Sequence, residues 1–304
     1  MKAYKGLNKI PQGVTSDKLI HGCLVVEGGA LRSMYAMGAL DALMMNDINL
    51  DCYIGVSAGA MSGVNYLSGQ IGRGAYLTLK YRPDSRFIGA RAILSDKGIT
   101  GFKYMWGEVQ KDIPLRKEQF NNPERRFLCI ATNLLTGKEE YFEKGVDKDF
   151  LFYMQAGASV PFGSLPVWLN GKPYLDGGIA KHVPVEWAIK EGYEKIVVIR
   201  TRSKGFKAKK EFSDIIVNAL YKKKYPKMAV KLRLNSYFYN KEIDNLKTLE
   251  EKGRIFQLAP SKERELTLFS NDLDELGELY YMGINDTQAQ IPALKEYLGL
   301  ESSE

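Results

Sequence analysis

The sequence predicts an α/β protein of three layers, with a mostly parallel central sheet, helices on both faces and a helical extension at the C-terminal end. Two observations carry this reading. Short apolar runs with strand character alternate with longer segments of helical periodicity, the order that strand–helix–strand crossovers require. Two glycine-rich turns, at Glu27-Gly28-Gly29-Ala30 and at Gly55-Val56-Ser57-Ala58-Gly59, each lie where an apolar run gives way to a helical pattern. The chain has 304 residues, 45% of them apolar, enough for one large α/β domain plus an extension.

In chain order, strands are expected at 23–27 and 51–56, where apolar residues end in a glycine turn, and at 126–133 and 138–142, joined by a hairpin turn at Asn133 to Gly137. Further strands are expected at 173–176, 195–201 and 254–259. Helical patterns cover 31–45, 58–68, 148–157, 183–190, 210–223, 226–250 and 270–298, the last with a break near Gly283. The stretch 70–115, rich in Gly, Arg and aromatic residues, is the least regular and is a candidate lid. No internal repeat or low-complexity linker is visible. The domain reading is an α/β domain over 1–204 and a mostly helical extension over 205–304, packed on it.

Gly55 to Gly59 matches G-x-S-x-G, the pattern of a nucleophile on a tight strand-to-helix turn. With 16 Ser and 29 Gly in the chain, chance supplies about 0.15 such matches, and the strand-to-helix context adds to the signal. The turn leaves no room for a Cβ two residues either side of Ser57, which accounts for Gly55 and Gly59. The following helix aims its N-terminal N–H groups at the place where an oxyanion would form.

A serine hydroxyl needs a base. The chain has two histidines. His21 precedes the serine, and His182 follows Asp176 by six residues, which crowds an acid and a histidine into one short loop. A carboxylate base is the better reading. Pro173-Tyr174-Leu175-Asp176-Gly177-Gly178 ends an apolar run in Asp-Gly-Gly, placing Asp176 at a strand end, although Asp-Gly is also an ordinary turn pair. The Gly28-Gly29 turn has a competing reading as a dinucleotide-binding loop. G-x-G-x-x-G is not met, however, since Ala30 and Ser33 occupy the later glycine positions.

Taken together, the glycine loop with its basic residue (Glu27 to Ser33, including Arg32), the Gly55–Gly59 elbow and Asp176-Gly177-Gly178 resemble the patatin-like phospholipase family. Cys129 to Gly137 and Ala158-Ser159-Val160-Pro161-Phe162 look like the family too, and the resemblance covers about residues 20–200. It implies a lipid acyl hydrolase that works through a Ser57–Asp176 dyad without histidine, metal or cofactor. Backbone N–H groups around Gly28, Gly29 and Ala30 would bind the oxyanion, and Arg32 would hold a lipid phosphate or steady the loop. The chain departs from the family pattern at Ala30 and Ser33, where glycines are common. Ala30 keeps its N–H, so its role survives if φ stays negative there; a positive φ would strain the loop. Residues from about 205 on look more weakly like the C-terminal extension of some bacterial members.

The net charge is +7, and it is uneven. From Arg200 to Arg233 there are 12 Lys or Arg against Glu211 and Asp214. Lys222, Lys223 and Lys224 lie beside Tyr221 and Tyr225, a mixture that suits an anionic bilayer surface. A solvated helical face is the plainer reading, and no nucleic-acid motif accompanies the charge. Cys23, Cys52 and Cys129 sit in apolar runs as small core residues. The start lacks an apolar leader and no run reaches 18 apolar residues, so the expectation is a cytoplasmic protein with possible peripheral membrane contact. Two other classes stay open: a non-catalytic lipid-binding protein on the same fold, and a nucleotide-dependent oxidoreductase.

Overall fold

The structure, a computed structural model, describes residues 3–209 and 212–300. The strands are β1 (Gly13–Val14), β2 (Ile20–Val26), β3 (Leu50–Val56), β4 (Gln70–Ile71), β5 (Arg126–Asn133), β6 (Lys138–Glu143), β7 (Val167–Leu169), β8 (Lys172–Asp176), β9 (Ile196–Ile199) and β10 (Phe256–Leu258). The helices before β5 are α1 (Ser33–Met45), α2 (Ala58–Leu67), α3 (Arg73–Tyr81), α4 (Ala90–Asp96), α5 (Phe102–Trp106) and α6 (Lys117–Phe120). Those after it are α7 (Phe150–Gly157), α8 (Val185–Lys190), α9 (Phe212–Tyr221), α10 (Pro226–Arg233), α11 (Asn235–Glu251), α12 (Leu273–Gln288) and α13 (Ile291–Leu298).

The main sheet runs β10-β9-β2-β3-β5-β8-β7, with β6 also paired to β5. The pairs from β10 to β5 are parallel, and those of β5 with β6 and β8, and of β8 with β7, are antiparallel. Alternate residues of the buried strands face opposite ways. Leu24, Val26, Tyr53 and Phe127 join a core with α1, α2, α7 and α12. Cys23, Val25, Ile54 and Leu128 join another with α8 and α11. Covering both faces explains why these strands read as continuous apolar runs rather than alternating ones.

One detail of register builds the site. Parallel β3 runs beside β5 until Val56 lies opposite Ile130. On that same side of β5, antiparallel β8 takes over at the next residue, with Asp176 opposite Ala131. The carboxyl ends of β3 and β8 therefore meet head to head along β5, so the residues that follow Val56 and end β8 become neighbours across more than a hundred positions of sequence. The hairpin at Asn133 to Gly137 forms as expected: the Asn133 carboxamide oxygen accepts from Leu135 N–H at 2.9 Å, and Gly137 takes φ +66°.

Several elements differ from expectation. The helix expected over 226–250 is two, α10 and α11, separated at Leu234; the corner lets the Asn235 side chain donate to the Gly178 carbonyl at 3.0 Å. The break in the last helical stretch falls at Ala289–Gln290, and Pro292 opens α13, where a missing N–H is harmless. Gly283 lies inside α12. Its role is packing, because a Cβ there would be 2.1 Å from the Tyr35 carbonyl oxygen, and one on Gly38 would be 2.0 Å from that of Tyr280. The two glycines let α1 and α12 pack backbone to backbone. The irregular stretch 70–115 folds into α3, α4 and α5 with short connections. The expected helix start at residue 210 and the tail 301–304 lie outside the described residues.

Candidate active site

Ser57 occupies the turn from β3 into α2 with φ +54° and ψ −127°, a conformation that L-residues rarely adopt. The neighbouring glycines explain how it is held. A Cβ on Gly55 would lie 2.5 Å from Ala60 N, and one on Gly59 would lie 2.7 Å from the carbonyl oxygens of Val26 and Glu27. The Ser57 hydroxyl donates to Asp176 Oδ2 at 2.5 Å.

Asp176 is held on three sides. Its backbone N–H donates to the Ser159 carbonyl at 2.9 Å, its carbonyl accepts from the Thr132 hydroxyl at 2.7 Å, and its Oδ1 accepts from Gly178 N–H at 2.8 Å. Gly177 is tight, as a Cβ would sit 2.5 Å from the Ile130 carbonyl oxygen. Burial pushes the Asp176 carboxyl up to about 6; the Ser57 hydroxyl, Gly178 N–H and nearby His182 hold it down from going further. A carboxylate poised there can take a hydroxyl proton near neutral pH, which an ordinary aspartate at about 3.9 does poorly.

The glycine loop curls over Ser57. A Cβ on Gly28 would be 3.0 Å from Ser57 Cβ, and one on Gly29 would be 2.4 Å from Thr201 Oγ1. Among the described residues, no protein acceptor meets the N–H groups of Gly28, Gly29 or Ala30, so all three are free to donate to a ligand. Ala30 takes φ +50°, against the condition set from sequence. The loop therefore carries left-handed strain, on the order of 1–2 kcal/mol for a residue with a Cβ. Arg32 donates to the Leu266 carbonyl at 3.0 Å, which ties the loop to the C-terminal part of the chain.

Two grooves meet at Ser57. One is apolar, with Met61, Leu77, Phe87, Phe102, Trp106 and Val109 in its walls. Much of it comes from the 70–115 stretch, so the candidate lid is the wall of this groove. Its lining includes Arg73, which is buried and, among the described residues, bonded only to neutral acceptors, Asn65 Oδ1, the Ile113 carbonyl and Gln110. The other groove has mixed walls that carry the polar and charged groups Asp176, His182, Arg32, Arg202, Asn235 and Lys209 among apolar residues such as Ile179 and Leu232. Ala30, Ser57 and Val160 border both.

His21 is on the surface, paired with Asp51 at 2.8 Å, and does not reach the site. His182 borders the second groove, its ring nitrogen Nδ1 lying 3.5 Å from Glu242 Oε1. The basic run is less bare than the sequence suggests. Arg200 is buried against Glu27, and Arg202, Lys204 and Lys207 pair with Glu263, Glu250 and Asp244, acids 37 to 61 positions away. Lys222, Lys223 and Lys224 remain exposed, while Lys210 and Glu211 lie outside the described residues. Among the described residues, no group of three or more His, Cys, Asp or Glu is placed to hold a metal ion, and Cys23, Cys52 and Cys129 are buried and free.

Sequence reasoning assigned no role of their own to Thr132, Thr201, Glu27 and Tyr239, all buried around the site. The readable signal was positional: Glu27 and the Arg200-Thr201 pair each cap an apolar strand run with polar residues, which a buried strand end accepts only when they are paired.

A covered, mostly parallel sheet with a serine on its elbow and a buried carboxylate one hydrogen bond away defines a serine–carboxylate α/β protein. The patatin-like phospholipase family model matches residues 24–189, and the chain belongs to that family. A second family model, a domain of unknown function (DUF6363), matches residues 225–299. The chain is 26% identical over 187 residues to the uncharacterized protein YjjU of Escherichia coli, covering 59% of this chain and 51% of YjjU. It is 28% identical over 187 residues to the probable lipid hydrolase 463L of Invertebrate iridescent virus 6, covering 55% of this chain and 63% of that protein. Over 279 residues it is 23% identical to the lysophospholipase NTE1 of Scheffersomyces stipitis, covering 86% of this chain and 17% of NTE1. The matches with YjjU and 463L thus span between half and two thirds of those proteins. Family membership leaves the dinucleotide reading of the Gly28-Gly29 loop without support.

Proposed function

We propose that the protein is a serine acyl hydrolase that cleaves carboxylic esters of lipids through Ser57 and Asp176. The observation that carries this is the 2.5 Å bond between the two side chains at the junction of an apolar groove and a second groove that carries charged side chains. An acyl chain fits the apolar groove and a polar leaving group the other, which puts the ester carbonyl over Ser57. Asp176 takes the Ser57 proton as Oγ attacks the carbonyl carbon. The N–H groups of Gly28, Gly29 and Ala30 receive the charge on the carbonyl oxygen. As the C–O bond to the leaving group breaks, Asp176 returns the proton to the departing alkoxide, leaving an acyl-enzyme. Water then attacks with the same base, releases the fatty acid and restores Ser57. A non-catalytic lipid carrier would gain nothing from a strained serine held against a carboxylate. A panel of phospholipids, lysophospholipids, glycerides and short esters tests the reading: fatty acid release from at least one class is expected, and release that persists undiminished in Ser57→Ala would exclude it.

The base works only as carboxylate. With Asp176 near 6, kcat/KM is expected to fall tenfold per pH unit below about 6 and to level off above about 7. A flat profile between pH 4.5 and 8, with the fold intact by circular dichroism, would remove Asp176 as the base.

An anionic membrane surface is the partner that fits the flank of the site. On α9, Ile215, Ile216 and Leu220 are exposed, and Lys222, Lys223 and Lys224 follow directly. Tyr221 meets Phe162, two residues from Val160 in the site wall, with ring centroids 6.2 Å apart. Changing the three lysines to Gln is expected to weaken binding to anionic vesicles by up to ~3 kcal/mol, with added salt weakening the wild type too. Hydrolysis of a small soluble ester should hardly change. Equal vesicle sedimentation of mutant and wild type at low salt would favour a merely solvated face.

A further inference from the structure

The glycine loop is bracketed by a buried polar network that a dyad does not require. Glu27, the residue before Gly28, is buried. Its Oε2 accepts from Thr201 N–H at 2.7 Å, and its Oε1 accepts from the Tyr239 hydroxyl at 2.8 Å. Arg200, 1% exposed, donates to the same Tyr239 oxygen at 2.8 Å and lies 3.6 Å from Glu27 Oε2. The Thr201 hydroxyl has one proton, and it is given to the Gly28 carbonyl at 2.6 Å. In a trans peptide, C=O and the next N–H point in opposite directions. Pinning the Gly28 oxygen on Thr201 therefore turns Gly29 N–H away from Thr201, toward the groove that Gly29 shares with Ser57.

The other end of the loop is tied by Arg32 to the Leu266 carbonyl, and the Asp176 turn is tied by Asn235 to the Gly178 carbonyl. Tyr239, Leu266 and Asn235 all fall within the stretch that matches the domain of unknown function.

We propose that this C-terminal segment is a clamp for the oxyanion loop, and that Glu27, Thr201 and Tyr239 are positioning residues that hold the Gly28–Gly29 peptide in its donating orientation. The inference rests on the proposed acyl-hydrolase reading. A loop of glycines has many accessible backbone states, and every state with the peptide turned loses a donor. Losing one oxyanion donor outright lowers kcat about 10²–10³-fold, so a loosened loop loses a share of that. The effect falls on kcat, because the donors meet charge that is present only in the transition state.

The test uses the full chain and a soluble p-nitrophenyl ester. Thr201→Val keeps the shape and removes the hydroxyl; Thr201→Ser keeps the hydroxyl; Tyr239→Phe removes one oxygen. Thr201→Val and Tyr239→Phe should each lower kcat about 10- to 100-fold with KM within about threefold of wild type, and Thr201→Ser should restore most of the loss. Affinity for a trifluoromethyl ketone, whose adduct places an oxyanion in the loop, should fall in step with kcat, while affinity for the fatty acid product stays level. A merely structural role would lower the melting temperature without that split. Should Thr201→Val not fold, Tyr239→Phe decides alone. Wild-type kcat in Tyr239→Phe, with Ser57→Ala inactive, would overturn the clamp and leave the dyad standing. Full activity in Ser57→Ala would overturn both.

Discussion

Ser57→Ala is expected to lower ester hydrolysis by at least ~10³-fold, and Asp176→Asn by a similar factor. The double variant should be little worse than either single one. A 2.5 Å hydrogen bond joins the two side chains, so each is useless to the reaction without the other. Asn keeps the shape of Asp176 and can still accept from Ser57, but it cannot take the proton. His21→Ala should retain most activity, because that ring is on the surface against Asp51. His182→Ala should also retain most activity at pH 8, where Asp176 is ionised without help. Additive losses in the double variant, or a His182→Ala as inactive as Ser57→Ala with its fold intact, would contradict the pairing.

Gly29→Val should abolish turnover in a folded protein. A Cβ at residue 29 would lie 2.4 Å from Thr201 Oγ1 and 3.0 Å from Thr201 Cβ, so either the loop or the threonine must move. Either movement breaks the bond from Thr201 to the Gly28 carbonyl and releases the peptide whose N–H is needed. The expected loss in kcat is at least ~10²-fold, with KM changing much less. Wild-type turnover in Gly29→Val would remove the loop from the reaction.

What the sequence made legible follows from where the information is local. The elbow, the glycine loop and Asp-Gly-Gly each sit at the end of an apolar run, and each glycine answers a local demand for space. That Ser57 and Asp176 meet depends on β3 and β8 abutting along β5, which no spacing in the chain encodes; it was reachable only through the resemblance to a family. Gly283 illustrates the opposite failure. A glycine in a helical pattern reads as a break, yet here it marks close contact with α1, a fact that lives in the partner helix. The basic run 200–233 likewise looked bare because several of its counter-charges, Glu250, Asp244 and Glu263, are distant in sequence. The sign of φ at Ala30 was undecidable from residue type, since alanine prefers the opposite sign and the fold overrides that preference.

Everything proposed for the site depends on Ser57 being a nucleophile activated by its setting. Intact-mass measurement after exposure to a long-chain fluorophosphonate tests this most directly. A single adduct is expected on the wild type, mapped to Ser57 by peptide mass and slowed below about pH 6 as Asp176 protonates, and no adduct on Ser57→Ala. An adduct on another residue, or equal labelling of Ser57→Ala, would contradict it.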